Sequence, residues 1–241
     1  MKRCLVLIAS LATAALLQAA PASATFHEIK VSEVSAGTVP SDGSYVEVQM
    51  YTPGQNFLNN GGMLAVCNDI CSILPAEFGP FANVANGANQ ATVLIGDSAI
   101  PAGQKDFNIN GLNLEDVDDG GAVCWFGEPG FSDCVSWGTF SNNDALTSNY
   151  GTTAGTPAPA LTIGSALNRS IAPGCPTLLE AADDTNSSAA DFSTGPPSPR
   201  TNAATPTEKP CAPPAQPKKK KKCKKAKKGA AAAKQCKKKK K

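Results

Sequence analysis

The sequence predicts an all-β protein, a sandwich of short strands followed by a lysine-rich tail. Val46, Val48 and Met50 alternate with Tyr45, Glu47, Gln49 and Tyr51, the period of two expected of a strand with one buried face. Further short apolar runs recur between Asn-Gly, Pro-Gly and Gly-Gly turn signals, with almost no helical period. Charge also divides the chain, because a net +2 overall conceals an acidic body and a basic end.

The first element is a predicted signal peptide over residues 1–24. Lys2 and Arg3 precede an apolar run from Leu5 to Leu17, and Ala22-Ser23-Ala24 supplies the small-residue pattern of a cleavage site before Thr25. The run falls short of the roughly 20 residues that a spanning helix needs, and no second stretch approaches that length, so no transmembrane span is expected. Eight of the nine cysteines lie downstream of the cut, and an exported chain favours disulfides over zinc.

Strands follow within the body, assigned to residues 25–202. Ile29 and Val31 alternate with Lys30 and Ser32, and strand-like runs span Met63 to Cys67, Thr92 to Gly96, Gly121 to Phe126 and Asp133 to Trp137. The stretch from Ser141 to Pro159 is rich in Gly, Thr, Asn and Pro and is expected to be a surface loop. From Thr25 to Arg200 four bases stand against nineteen acids, a net of −15. From Thr201 to Lys241 sixteen lysines stand against Glu208 alone, a net of +15. With no aromatic residue to bury, residues 203–241 are expected to be a disordered Pro/Lys/Cys-rich tail.

The run Gly121 to Gly138 has two strand-like segments around Gly127-Glu128-Pro129-Gly130, so a hairpin would set Cys124 opposite Cys134. A bridge closing that loop would stabilise the fold by about 3 kcal/mol. Cys67 and Cys71 flank Asn68-Asp69-Ile70, where a turn could close a tight second bridge. Cys175, Cys211, Cys223 and Cys236 allow three pairings among themselves.

Chemistry-bearing groups are sparse. The only histidine, His27, lies just behind the expected cut and reads as a solvated strand residue, which leaves no Ser-His-Asp or Cys-His arrangement. Two acidic groups, Glu115-Asp116-Asp118-Asp119 and Asp183-Asp184-Asn186-Asp191, raise carboxylate-pair or calcium chemistry, but neither matches an EF-hand loop and both read as polar turns. Trp125, Phe126, Phe131 and Trp137 cluster around the hairpin and read as core rather than as an exposed ligand platform. No catalytic residue, metal site or cofactor is expected.

The segment from Ile29 to Val66 resembles the opening of a lamin tail domain, with Tyr45, Val46, Glu47 and Val48 in its second-strand motif. The segment from Ser165 to Asn202 is similar to the closing part of secreted bacterial members, through Ser165, Leu167 and Arg169, then Ala189, Ala190, Asp191 and Phe192, and a Pro-Arg-Asn-like finish. The resemblance covers roughly residues 26–202. It implies an immunoglobulin-like sandwich and structural or binding roles, although a fold of this kind hosts many functions.

The tail offers the strongest binding feature. Lys218, Lys219, Lys220, Lys221, Lys222, Lys224, Lys225, Lys227, Lys228, Lys237, Lys238, Lys239, Lys240 and Lys241 form a polyanion-binding segment by charge density alone. Its expected partners are anionic cell-surface polymers or lipid headgroups, or extracellular nucleic acid bound without sequence preference. Cys223 and Cys236 sit among these lysines, which lower thiol pKa and favour intermolecular disulfides. The leading expectation is therefore a secreted or envelope-associated, non-catalytic structural or binding protein. The competing ones are an exported metal-dependent hydrolase built on the acidic loops and a non-specific nucleic-acid binder.

Overall fold

Alternating apolar residues fold into strands that share one interior. The computed structural model describes residues 26–38, 43–71, 76–114, 119–127, 132–171 and 177–210. The strands are β1 (Ile29–Ser35), β2 (Tyr45–Met50), β3 (Met63–Asn68), β4 (Ala76–Phe78), β5 (Thr92–Asp97), β6 (Phe107–Ile109), β7 (Gly120–Phe126), β8 (Asp133–Gly138), β9 (Ala166–Arg169) and β10 (Phe192–Gly195). They form a six-stranded sheet in the order β10-β9-β1-β2-β5-β6 and a four-stranded sheet in the order β4-β3-β7-β8. The pairings are antiparallel except for β5 with β6.

One apolar cluster joins the two sheets. Val31, Val34, Val46, Val48, Val93, Ile95 and Leu167 from the larger sheet pack with Leu64, Val123, Trp125, Val135 and Trp137 from the smaller. Burying each such side chain favours folding by about 1.5–3 kcal/mol, so this interior is the main source of stability. Trp125 and Trp137 are both core, as the alternation predicts. Phe131 lies outside the described residues.

The other face of the four-stranded sheet carries a second, smaller cluster of Cys67, Cys124, Cys134, Phe140, Leu146 and Tyr150 among its members. Leu146 and Tyr150 come from a helix, α1 (Asn143–Tyr150), within the stretch that the sequence assigns to a surface loop. That expectation is corrected by local chemistry. Asn142 caps the helix by accepting from the Ala145 N–H at 3.1 Å, and Gly151 ends it in the left-handed region at φ 73°. An eight-residue, mostly polar segment of this kind is not stable alone, and packing on the sheet decides it.

A second difference concerns β2. Its alternation predicts one solvent face, yet all six residues are buried. The reason is the segment after β10. Residues 196–208 lie on the outer face of the six-stranded sheet as a strap that turns at Thr201–Ala204, and Glu208 accepts hydrogen bonds from Gln49 and Arg200, so the packed part of the chain continues beyond Asn202.

At the end of β8, Gly138 has φ 60°, and a β-carbon there would lie 1.7 Å from the Asp119 carbonyl oxygen. Only glycine fits that crossing of chains.

Candidate functional site

The strap lies in a polar groove of the body. Glu33 and Glu47 are register partners on β1 and β2, so two carboxylates stand side by side on one sheet face. Like charges directly opposite each other destabilise a sheet unless something neutralises them. The strap supplies the neutralising groups. The Ser198 N–H and hydroxyl donate to Glu33 at 2.7 and 2.8 Å. The Arg200 N–H donates to Glu47 at 2.6 Å, and its guanidinium reaches the same carboxylate at 3.0 Å and Glu208 at 2.6 Å. The Asn202 N–H donates to Asp106 at 2.8 Å.

Three carboxylates thus accept backbone N–H groups from residues 198, 200 and 202, the period of an extended chain. Pro197 and Pro199, which have no N–H, occupy the alternate positions. Asn202 completes the dock. Its amide donates to the carbonyls of Asn86 and Thr92 at 2.9 and 3.0 Å and accepts from the Asn86 N–H at 2.7 Å.

Burial governs the electrostatics here. Glu47 is 1% exposed, and desolvation pushes its carboxyl up to about 7 against the opposing pull of Arg200. Burial and the Glu33 carboxylate raise the Tyr45 phenol, which donates to Glu33. Burial would raise Glu208 as well, but the hydrogen bond from Arg200 brings it below the usual carboxylate range.

Cavities flank the strap on both sides. One, of about 400 Å³, is largely apolar, with Leu94, Ile100, Pro197 and Pro199 in its walls. The other, of about 310 Å³, is polar, with Glu33, Glu47, Gln49, Asn168 and Arg200 in its walls.

A second buried polar cluster joins the two sheets. Arg169 pairs with Asp133 at 2.6 Å and lies over the Phe192 ring at 4.6 Å. Close by, Lys30 pairs with Asp184. Burial opposes the Lys30 charge, but Asp133 and Asp184 outweigh it and raise the ammonium pKa.

The structure brings both expected cysteine pairs together. Cys124 and Cys134 are register partners bridged across the hairpin, with Cα atoms 4.1 Å apart. Cys67 and Cys71 are bridged across their turn at 4.8 Å. The closing acidic group does not converge. Asp184 goes to Lys30 and the Asn186 N–H, while Asp191 accepts from Thr185 and Ser187 at the start of a short helix, α2 (Ser188–Asp191). Among the described residues, no three His, Cys, Asp or Glu side chains gather in a way that could hold a metal ion. His27 is half-buried with its ring edge-on to buried Phe26 at 4.9 Å, so this end of the body is anchored.

The expected signal peptide, the acidic residues Glu115, Asp116 and Asp118, the cysteines Cys175, Cys211, Cys223 and Cys236, and all the tail lysines from Lys218 to Lys241 lie outside the described residues. Sequence reasoning missed the strap dock of Glu33, Glu47, Asp106, Arg200 and Asn202. Its available signal was the alternation of proline with hydrogen-bonding residues from Pro197 to Asn202. Compared with known proteins, the chain matches no family model, no curated protein and no solved structure.

Proposed function

We propose that this chain is an exported, non-catalytic structural or binding protein of the cell envelope. Its body is an immunoglobulin-like sandwich of the lamin-tail type, and its basic tail grips anionic surface polymer or lipid headgroups. The observation that carries the reading is the charge division, a net −15 from Thr25 to Arg200 and +15 from Thr201 to Lys241. A dense cationic segment associates with polyanions by displacing their counterions, without needing a shaped pocket.

Three further features support it. Two disulfides fit an oxidising compartment. No helix among the described residues is long and apolar enough to cross a membrane. The buried carboxylates Glu33, Glu47 and Asp133 are each held by donors of the fold, an arrangement suited to holding the chain together rather than to reacting with a substrate. The same tail chemistry extends to extracellular nucleic acid, and Cys223 and Cys236 supply a route to covalent cross-links between tails.

The test compares the full chain with a variant lacking Pro217 to Lys241 in cell fractions washed at low and high salt. The reading expects the full chain in the envelope fraction at low salt, and release by either the deletion or the salt. Unchanged fractionation after both treatments overturns it.

A further inference from the structure

The strap is held almost entirely by side chains from elsewhere in the chain. Glu33, Glu47, Asp106, Asn86 and Thr92 receive or supply its hydrogen bonds, at sequence distances between 96 and 165 residues. No strand pairing ties residues 196–208 to the sheet. The covalent joint to the body is the short run Gly195-Pro196-Pro197 at the end of β10. Cavities along both flanks leave the groove open at its sides.

We propose that this groove also accepts the strap of a second copy, so that two chains exchange residues 196–208 and form a dimer. The second copy is the fitting occupant because the groove reads one specific pattern. It needs N–H groups at alternate residues, a guanidinium against Glu47, and an amide that bonds the backbone of residues 86 and 92. The chain's own Ser198-Pro199-Arg200-Thr201-Asn202 supplies that pattern, and another copy supplies it identically. Exchange of an identical element gains and loses the same contacts, so its balance rests on what happens at the joint and on the freedom lost when two chains associate. Consecutive prolines there keep the joint extended, a conformation that can lead to either body.

Charge reversal tests the idea in the full-length protein. Glu47→Arg sets two guanidinium groups against each other within one chain, and Arg200→Glu sets two carboxylates against each other. Mixed together, the variants restore an opposite-charge pair at both grooves, but only by exchanging straps. The proposal expects each variant alone to be monomeric with Asn202 amide protection lost. It expects the mixture to double in mass by light scattering and to regain that protection. A mixture that stays monomeric and unprotected, while a single chain carrying both substitutions is protected, overturns the proposal.

A second experiment applies if the single variants do not fold. Two differently tagged wild-type chains are unfolded and refolded together at high concentration, then captured through one tag in high salt. Co-capture that survives salt and separates on a non-reducing denaturing gel supports exchange. Absence of co-capture, dissolution in salt as for tail-mediated association, or persistence on the gel as for disulfides between tails each overturns it.

Discussion

Asp133 and Arg169, paired at 2.6 Å, together take up both backbone groups of Val31. The Val31 N–H donates to Asp133 at 2.6 Å, and the Val31 carbonyl accepts from the Arg169 side chain at 2.7 Å. The register of β1 against β2 shifts between Val31 and Glu33, and β9 pairs with β1 only from Glu33 onward. Val31 therefore sits beside the end of the ladder, where two side chains do the work of a neighbouring strand. One of them comes from each sheet, so the pair also pins the sheets together.

This arrangement predicts a large and coupled loss. Arg169→Ala or Asp133→Ala should each destabilise the fold by about 3–5 kcal/mol, because each leaves a buried charge without its partner. The double variant should lose much less than the two single losses together, and Arg169→Lys should not rescue, since one ammonium cannot serve Asp133 and Val31 at once. Urea unfolding of the four proteins measures this, and additive losses would refute the coupling.

The two disulfides should rank by the chain they enclose. Cysteines ten residues apart close the hairpin at Cys124 and Cys134, while Cys67 and Cys71 are four apart. Loop-closure entropy then gives about 3 kcal/mol for the hairpin bridge and about 2 kcal/mol for the turn. Replacing each pair with serine and comparing melting temperatures should show the greater drop for Cys124 and Cys134.

Glu47 makes stability depend on pH in an unusual direction. Its carboxyl titrates near 7 in the fold against an ordinary 4.5, so the folded state holds the proton more tightly than the unfolded one. Stability on its account should rise as pH falls from about 7 toward about 4.5, and the penalty of burying the charge should be complete above that window. The ceiling is about 3 kcal/mol. Glu47→Gln, which mimics the protonated form, should remove this dependence. Thermal melts of both proteins between about pH 8 and about pH 5 give the comparison, and parallel curves would contradict it.

Binding through the tail should follow lysine number rather than lysine position. Replacing Lys218, Lys219, Lys220, Lys221 and Lys222 by glutamine should weaken binding to a polyphosphate surface as much as replacing Lys237, Lys238, Lys239, Lys240 and Lys241. Each set should flatten the salt dependence by a similar amount. A titration over salt concentration separates this from a positioned site, in which one set would dominate.

Much of the fold is legible in the residues themselves. The apolar runs at β1, β2, β3, β5, β7 and β8 form strands close to where their alternation puts them, because a period of two leaves a strand little choice about which residues go inward. Both bridges follow as well, since the two flanking strands pair with Cys124 opposite Cys134 and the short spacing of Cys67 and Cys71 sets the turn. The helix Asn143–Tyr150 was hidden, because polar residues dominate it and only its contact with the disulfide-bearing sheet face makes it stable.

The sequence alone determined the alternating strands, the cysteine pairs and the opposed charges of body and tail. Each of these is a local property, expressed in neighbouring residues or in a count. Only the tertiary structure decided that Glu33 and Glu47, polar residues of half-buried pattern, lie covered beneath Ser198 and Arg200. That outcome joins residues more than 150 positions apart, by 165 for Glu33 with Ser198 and 153 for Glu47 with Arg200. The physical reason is that a carboxylate on a strand can find its donors in water or in a strap, and nothing adjacent to it in the chain distinguishes the two.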